Sequence, residues 1–427
     1  MSICQDIDCM NHYNSAYKQF HSTETALIKV HNDILWAMER RGVTILLLLD
    51  LSSAFDTIDQ SILIARLHDI IGVDGTALNW FRSYLSDRSQ RVYINGAFSA
   101  SHLLRYGVPQ GSVLGPLLFL IYTLPIGPII HKYGMEMHMY ADDTQIYVSV
   151  CPTSAHGVQR AISTLETCVD DVKKWMETNF LKLNAAKTEV LVFGFRAQLT
   201  KFNLTSVNIA GASVPVKSDP VRNLGVMFDR SMTMNAQVAS ISKSANYQLI
   251  NIGRARKMLT TEATKLAVHT LVTSRLDYCN SLLTGISDIL LKRLQNIQRT
   301  SARLITRKRK YDHVTADLID LHWLPIRQRI DFKILVLVYK SIHEQSPRYI
   351  SNMLQIQTGS KQLRSTSSSA PRFIELRTHH TTFADRSFSC YAPRTWNLLP
   401  DHIKLANSFA IFKKLLKHYL FQVAYHR

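Results

Sequence analysis

Two adjacent carboxylates, Asp142 and Asp143, are the residues of this chain most suited to chemistry. Apolar and polar residues alternate on both sides of the pair, which predicts a strand, a tight turn and a second strand, with the acids ending the first strand. Two like charges at the tip of a buried hairpin repel each other and lose hydration. A bound divalent cation would remove both costs, and the competing interpretation is a solvated turn.

A third acid, Asp50, ends the aliphatic run 43–50, which predicts a strand buried on both faces. A lone carboxylate there is costly unless it is paired or binds a cation. If the two segments lie side by side in one sheet, the three acids converge. Such a set without nearby His or Cys suits Mg²⁺, with Mn²⁺ also possible. Two ions about 3.5–4 Å apart would activate a 3′-hydroxyl and stabilise a leaving pyrophosphate. Because neighbouring strand residues face opposite ways, we expect Asp142 to be the closer ligand.

The charges of the chain are unevenly distributed along its 427 residues. Residues 1–150 hold 10 basic and 14 acidic residues, whereas residues 151–427 hold 40 and 18. A hydrophobic fraction of 46% indicates a globular chain with room for two or three domains. The asymmetry favours a metal-binding centre beside a region that binds a polyanion, and a solvated basic surface is the alternative.

The cysteine spacing and the N-terminal residues of the sequence indicate the cellular compartment of the protein. The six cysteines are irregularly spaced and form no CxxC, so neither a zinc site nor a disulfide framework is indicated. The polar start is unlike a signal peptide, and we expect an intracellular protein, nuclear, cytoplasmic or both, that is not secreted. Prolines and glycines interrupt the apolar stretch 113–130, which favours a buried helix over a membrane span.

Hydrophobic periodicity predicts the elements around these acids. We expect helices at 22–39, 60–71, 75–86 and 155–178, a hairpin over 91–105 with the turn Asn95-Gly96, a strand at 189–193 and short strands up to 228. The chain from about 231 onward has a mostly helical and basic pattern. The serine-rich stretch 365–369 indicates a linker or an exposed loop.

Residues 286–310 predict a strongly basic helix. Apolar residues at helical spacing would pack on the protein: Ile289, Leu290, Leu294, Ile297 and Leu304. The bases would follow a phosphate backbone: Lys292, Arg293, Arg299, Arg303, Arg307, Lys308, Arg309 and Lys310. A solvated basic helix and a nuclear-localisation signal are the alternatives.

Five motifs, in this order, resemble the reverse transcriptase of LINE-type (non-LTR) retrotransposons. They are LLLLDLSSAFDTID (46–59), RYGVPQGSVLGPLLF (105–119), YADDTQIYVS (140–149), WMETNFLKLNAAKTEVLVFG (175–194) and VRNLGVMFD (221–229). Stretches 274–283, 322–335 and 383–400 also resemble members of this group. The resemblance implies an α+β fold, a right-hand polymerase palm with partial fingers over 1–230, a basic helical thumb over 231–310 and a basic, mostly helical region over 311–427.

The resemblance also implies roles for particular residues. Asp50, Asp142 and Asp143 would be the catalytic metal ligands. Phe55 would pack on the ribose of the incoming nucleotide and exclude a 2′-hydroxyl, unless it is an ordinary core residue. Gln110 would contact nucleotide and template, and Gly111 would let the backbone approach them.

Two further roles concern phosphate and primer. Lys187 would act as a general acid toward pyrophosphate or neutralise phosphate, and a solvated surface lysine is the alternative. Leu224 and Gly225 would abut the primer terminus, as part of the primer grip.

The activity implied is RNA-directed DNA synthesis, with an RNA template, a DNA primer and dNTPs as partners and no membrane. In the family an apurinic-type endonuclease domain and a longer fingers segment usually precede these motifs, and Lys18 stands where Arg is common. We therefore expect an N-terminally truncated copy, and a catalytically impaired nucleic-acid-binding remnant is the alternative function. Phe55 disfavours a third possibility, an RNA-templated RNA polymerase.

Overall fold

The computed structural model describes residues 14–52, 55–357, 370–378 and 383–425. These residues form two compact units. The first contains the described residues of 1–22, 43–192 and 197–218, and the second those of 23–42, 193–196 and 219–427. The division into three domains that the sequence suggests stays a prediction.

The main sheet of the first unit has four strands: β1 Val43–Leu49, β7 Glu136–Tyr140, β8 Asp143–Val150 and β10 Glu189–Phe193. Their order in the sheet is β10-β1-β8-β7. The strand β8 pairs antiparallel with both β1 and β7. Residues of β1 are buried on both faces, because alternate residues join the main core while Leu46, on the other face, is fully buried too. This confirms the interpretation of the aliphatic run as a doubly buried strand.

Helices of the first unit at 60–69, 75–85 and 155–178 lie close to the predicted bounds, and two others begin within the apolar stretch 113–130. They are α2 Gln60–Asp69, α3 Gly75–Leu85, α4 Gly115–Thr123, α5 Ile126–Lys132 and α6 Ala155–Thr178. The carboxylate of Asp59 caps α2 and the hydroxyl of Ser154 caps α6. The apolar face of α6 (Leu165, Val169 and Val172) packs into the same core as β1 and α4.

The apolar stretch 113–130 forms two helices rather than one, since α4 ends at Thr123 before Pro125. Both helices contribute buried residues to the core of the unit. Among the described residues, no helix combines the length and the apolar composition that crossing a bilayer requires.

Short strands complete the first unit. They are β2 Leu51–Ser52, β3 Arg88–Gln90, β4 Tyr93–Ile94, β5 Ala97–Phe98, β6 His102–Leu104, β9 Lys182–Leu183, β11 Ser206–Ile209 and β12 Ala212–Pro215. The pair β4–β5 turns at Asn95-Gly96, where both residues have positive φ, as the dipeptide predicts. A four-residue helix, α7 Arg196–Leu199, follows β10.

The second unit is mostly helical. Its helices are α1 Thr23–Glu39, α8 Asn235–Ala255, α9 Thr261–Val268, α10 Ser274–Asp277, α11 Asp288–Thr306, α12 Thr315–Asp320, α13 Ile326–Ile342, α14 Arg348–Ser351, α15 Phe388–Asn397, α16 Asp401–Lys404 and α17 Phe409–Tyr425. The hairpin of β13 Val221–Asn223 and β14 Val226–Phe228 also belongs to it. Helix α13 packs against α15 and α17, and α11 packs against α8. The serine-rich stretch 365–369 lies outside the described residues.

The basic helix differs from the prediction in two respects. Helix α11 ends at Thr306, and Arg307 adopts a left-handed conformation with φ of 57°, so Arg307, Lys308, Arg309 and Lys310 follow the helix rather than extend it. Ile289 is 79% exposed, so its assignment to the packed face was wrong. Leu290, Leu294 and Ile297 are buried, as expected.

Candidate active site

The register of the sheet brings Asp50 and Asp143 to neighbouring positions. Leu49 pairs with Thr144 in the β1–β8 ladder, and Asp50 follows Leu49 while Asp143 precedes Thr144. Continuing the same antiparallel register sets Asp50 opposite Asp143, at one end of the sheet. The strand–turn–strand prediction around the acids is therefore correct, and the expected convergence of the two segments in one sheet is observed.

The turn differs in one detail from the prediction that both acids end the first strand. Strand β7 ends at Tyr140, which pairs with Asp143, so Asp143 begins β8. The loop between them is two residues long, Ala141 and Asp142, and Ala141 has a left-handed φ of 57°. The turn therefore frees Asp142 from the strict alternation of a strand. Which acid would be the closer ligand stays a prediction.

Electrostatics couple the three acids. The pKa of Asp143 is raised, first by desolvation and then by repulsion from Asp142 and Asp50. One oxygen of Asp50, Oδ2, is buried and makes no hydrogen bond. A bound cation would relieve both features, since it would replace lost hydration and screen the repulsion.

The donor set fits a hard divalent cation in its chemistry, because every donor is a carboxylate oxygen. Within residues 14–52, 55–357, 370–378 and 383–425, however, no three His, Cys, Asp or Glu side chains are grouped closely enough to hold one ion.

Lys187 lies beside this acid cluster. Its Nζ is 3.5 Å from the buried Oδ2 of Asp50, although most of the lysine side chain is exposed. Asn184 holds the loop in place: its N–H donates to the Asp50 carbonyl at 3.0 Å, and its own carbonyl accepts from the N–H of Lys187 at 3.1 Å. The lysine is therefore tethered through backbone bonds to the acid that it approaches.

Asn14 supports the hairpin turn from a distant part of the sequence. Its Oδ1 accepts from the N–H of Ala141 at 3.3 Å, and its Nδ2 donates to the Ala141 carbonyl at 3.4 Å. The neighbouring Ser15 N–H donates to the Met139 carbonyl at 2.9 Å. Sequence reasoning missed Asn14 and Asn184. The only signal for Asn14 was that an asparagine side chain can bond to backbone groups of loops.

Phe55 and the 107–112 loop form a second part of the site. The Phe55 ring packs on Phe119 of α4 with centroids 4.8 Å apart, and it remains partly exposed. Its carbonyl accepts from the N–H of Val108 at 3.1 Å. A Cβ on Gly107 would lie 2.9 Å from the Asp56 carbonyl oxygen, so only glycine permits this approach. Residues 53 and 54 of the same motif lie outside the described residues.

Gln110 contacts Asp56 rather than the acid cluster. Its Nε2 donates to Asp56 Oδ1 at 2.7 Å, and both groups are solvent-accessible. Gly111 has a positive φ of 77° and open space around it. The loop therefore presents an amide that is already oriented by a carboxylate, and Asp56 is a further residue that sequence reasoning missed.

Leu224 and Gly225 form the two-residue turn of β13–β14 in the second unit, with φ values of 42° and 83°. The Tyr278 hydroxyl donates to the Leu224 carbonyl at 2.7 Å. A Cβ on Gly225 would lie 3.1 Å from the Tyr278 ring. Tyr278 therefore fixes this turn, a role that the sequence did not reveal.

The predicted bases of 292–310 fall into two groups. Lys308 pairs with the buried Asp317 at 2.7 Å, and Arg303 donates to the Asp312 carbonyl at 3.1 Å, so both stabilise the end of α11. The other six are exposed to solvent: Lys292, Arg293, Arg299, Arg307, Arg309 and Lys310. Those six are free to face a polyanion.

Taken together, a sheet with paired acids at a hairpin tip, packed against helices, has the architecture of the palm of right-hand polymerases. Residues 3–228 match the family described as "Reverse transcriptase (RNA-dependent DNA polymerase)". This match covers more than half of the chain, and the chain belongs to that family.

Similar proteins in Drosophila melanogaster come from mobile elements. The chain is 28% identical over 300 residues to a probable RNA-directed DNA polymerase from transposon X-element, which covers 68% of this chain and 31% of that protein. It is 25% identical over 247 residues to the RNA-directed DNA polymerase from mobile element jockey, which covers 56% of this chain and 26% of that protein. The matched segments thus span about a quarter to a third of these relatives.

Among solved structures, telomerase from Candida tropicalis in complex with a fragment of telomeric RNA is similar at 12% identity with a TM-score of 0.37, covering 99% of this chain and 56% of that one. Apo telomerase from the same organism gives 10% identity and a TM-score of 0.38, covering 80% and 57%.

Proposed function

We propose that this chain carries the catalytic centre for RNA-directed DNA synthesis, adding dNTPs to the 3′-hydroxyl of a DNA primer on an RNA template. The observation that supports it most strongly is the sheet register that sets Asp50 opposite Asp143, next to Asp142 in the turn. A raised pKa at Asp143 and a buried oxygen on Asp50 that accepts no hydrogen bond are consistent with a site that takes up cations.

Asp50, Asp142 and Asp143 would hold two Mg²⁺ ions, or Mn²⁺. When bound, these ions supply charge stabilisation for the attacking hydroxyl and the leaving pyrophosphate. The remaining functions fall to the chain itself. Lys187, beside Asp50, would stabilise negative charge on the phosphates, and its ammonium carries protons that could be given to pyrophosphate.

The Phe55 ring, held against Phe119, would lie against the deoxyribose and leave no room for a 2′-hydroxyl. Gln110, oriented by Asp56, would donate to the nucleotide or the template. The Leu224-Gly225 turn, fixed by Tyr278, would contact the primer. Each of these groups is thus preorganised by a second residue before any substrate binds.

The test is extension of a labelled DNA primer on an RNA template with purified protein, Mg²⁺ and dNTPs. Asp143→Asn should abolish incorporation, because it removes a charge from the acid cluster. Asp87→Asn is the matched control, since Asp87 belongs to the same unit and its positive φ of 51° suits asparagine. Equal activity in the wild type and Asp143→Asn would overturn the proposal.

A second candidate, nucleic-acid binding without synthesis, is favoured by the six exposed bases of 292–310. It predicts salt-sensitive RNA or DNA binding by a protein that incorporates no dNTP. Absence of binding at low salt would exclude it.

A further inference from the structure

A cavity of about 580 Å³ lies within the second unit and is surrounded by cationic side chains. Its wall includes Arg329 and Lys333 of α13 and Lys413 and Lys417 of α17, against a single carboxylate, Asp277. The cavity belongs to the region beyond the reverse transcriptase match, which ends at residue 228.

The four cations are not equally neutralised. Arg329 donates to both oxygens of Asp277, at 2.7 and 3.0 Å, and Lys333 pairs with Glu24 at 3.1 Å. Lys413 and Lys417 have no ion-pair partner among the described residues, and they lie one helical turn apart on the same helix. The Lys413 Nζ lies 4.6 Å from the centre of the Phe409 ring, a contact that leaves its charge unneutralised. Like charges one helical turn apart repel each other, so the cavity has a positive electrostatic potential that would attract an anion.

The pKa of a neighbouring lysine responds to the same positive charges. The pKa of Lys340 is lowered by burial and then by repulsion from Lys333 and Lys413. An anion bound near Lys333 and Lys413 would offset part of that repulsion.

Two further features of the cavity indicate a ligand that has a base or a sugar in addition to a phosphate. Asn280 lines the cavity at 3% exposure, and its Oδ1 is buried without a hydrogen-bond partner. An unsatisfied acceptor suits an amino group of a base or a ribose hydroxyl rather than a phosphate oxygen. The partly buried rings of Trp323 and Phe332 add apolar wall against which a base could pack.

We infer that this cavity binds one nucleotide unit of a single-stranded nucleic acid. The unpaired lysines of α17 would contact its phosphate, and Asn280 would accept from its base or sugar. This binding does not depend on the proposed synthesis, since the cavity is formed within the second unit and uses none of the predicted catalytic residues.

The experiment measures binding of a fluorescent ten-nucleotide single-stranded RNA by anisotropy, without primer or dNTPs and in an Asp143→Asn background. Lys413→Gln and Lys417→Gln should each weaken binding by about fivefold or more and lower the salt slope by about 0.7. Lys414→Gln, an exposed neighbour on α17 that does not line the cavity, should change affinity by less than about twofold. Circular dichroism melts would verify that all three variants fold.

Competition distinguishes the ligand classes. AMP should displace the RNA at a lower concentration than inorganic phosphate does, because only AMP carries a base and a sugar that could reach Asn280 and the rings of Trp323 and Phe332. Equal competition would overturn the nucleotide assignment, and equal effects of the three lysine variants would overturn the site. Neither the binding measurement nor the competition measurement requires DNA synthesis. Both would therefore remain valid for a protein without polymerase activity.

Discussion

The ammonium of Lys187 lies 3.5 Å from Asp50 Oδ2, a buried oxygen that accepts no hydrogen bond. The lysine thus partly compensates the charge of an acid that we propose to be a metal ligand. A cation entering the site would meet a competing positive charge at that oxygen.

The first prediction concerns this competition. Lys187→Met should tighten Mn²⁺ binding, measured by electron paramagnetic resonance, because Asp50 loses its competing partner. The same change should raise the KM for dNTP, because a phosphate-neutralising charge is removed. Lys182→Met, an exposed lysine of the same unit, is the control and should alter neither quantity. Weaker Mn²⁺ binding in Lys187→Met would contradict the competition.

The second prediction concerns sugar selection by Phe55. Phe55→Val removes the ring that packs on Phe119 and opens space where a 2′-hydroxyl would lie. The ratio of kcat/KM for rNTP to that for dNTP should rise by about tenfold or more. Single-nucleotide incorporation assays would measure it, with Phe98→Val, an exposed ring of the same unit, as control. An unchanged ratio would mean that Phe55 is only a packing residue.

The third prediction tests the turn at Gly225. Gly225→Ala should lose about 2 kcal/mol of unfolding free energy, from left-handed strain and from contact with the Tyr278 ring. Gly211→Ala is a matched control, since its φ of 84° is nearly the same as the 83° of Gly225 but no atom lies within 4 Å of the added Cβ. It should lose about 1 kcal/mol. Equal losses in urea unfolding would show that Tyr278 does not constrain the turn.

The fourth prediction concerns acid sensitivity. Burial and then the nearby Arg386 lower the pKa of the fully buried His31 to about 3. As the pH falls below about 6.5, His31 becomes protonated in the unfolded chain but stays neutral in the folded chain. The second unit should therefore be most stable above that pH. Between pH 6.5 and about 3, stability should fall by about 1.4 kcal/mol per pH unit from this group.

Urea unfolding at pH 7 and pH 5 would measure this effect. His31→Gln should reduce the difference between the two pH values, since glutamine does not titrate. His68→Gln serves as control, because His68 is exposed and its pKa is raised by Asp69 rather than lowered. An unreduced difference in His31→Gln would assign the acid sensitivity to other groups.

Local patterns in the sequence were sufficient for most elements of the first unit. The aliphatic run 43–50, the Asn95-Gly96 turn and the amphipathic repeat of 155–178 each correspond to observed structure within one or two residues. These patterns succeed because helix and strand periodicities place apolar residues on a fixed face. The basic run 286–310 was less informative, because charge alone does not show that Arg307 turns left-handed and ends the helix.

The sequence by itself determined the identity of the acids, the strands that flank them and the family to which the chain belongs. Only the tertiary structure decided that Asp50 lies opposite Asp143, that Asn14 holds the turn and that Asn184 bonds to the backbone of Asp50. These contacts join residues far apart in sequence, so their geometry follows from strand register and loop hydrogen bonds rather than from local composition. The cationic cavity of the second unit likewise depends on tertiary structure, because its lysines and arginine come from helices α13 and α17, which are far apart in the sequence.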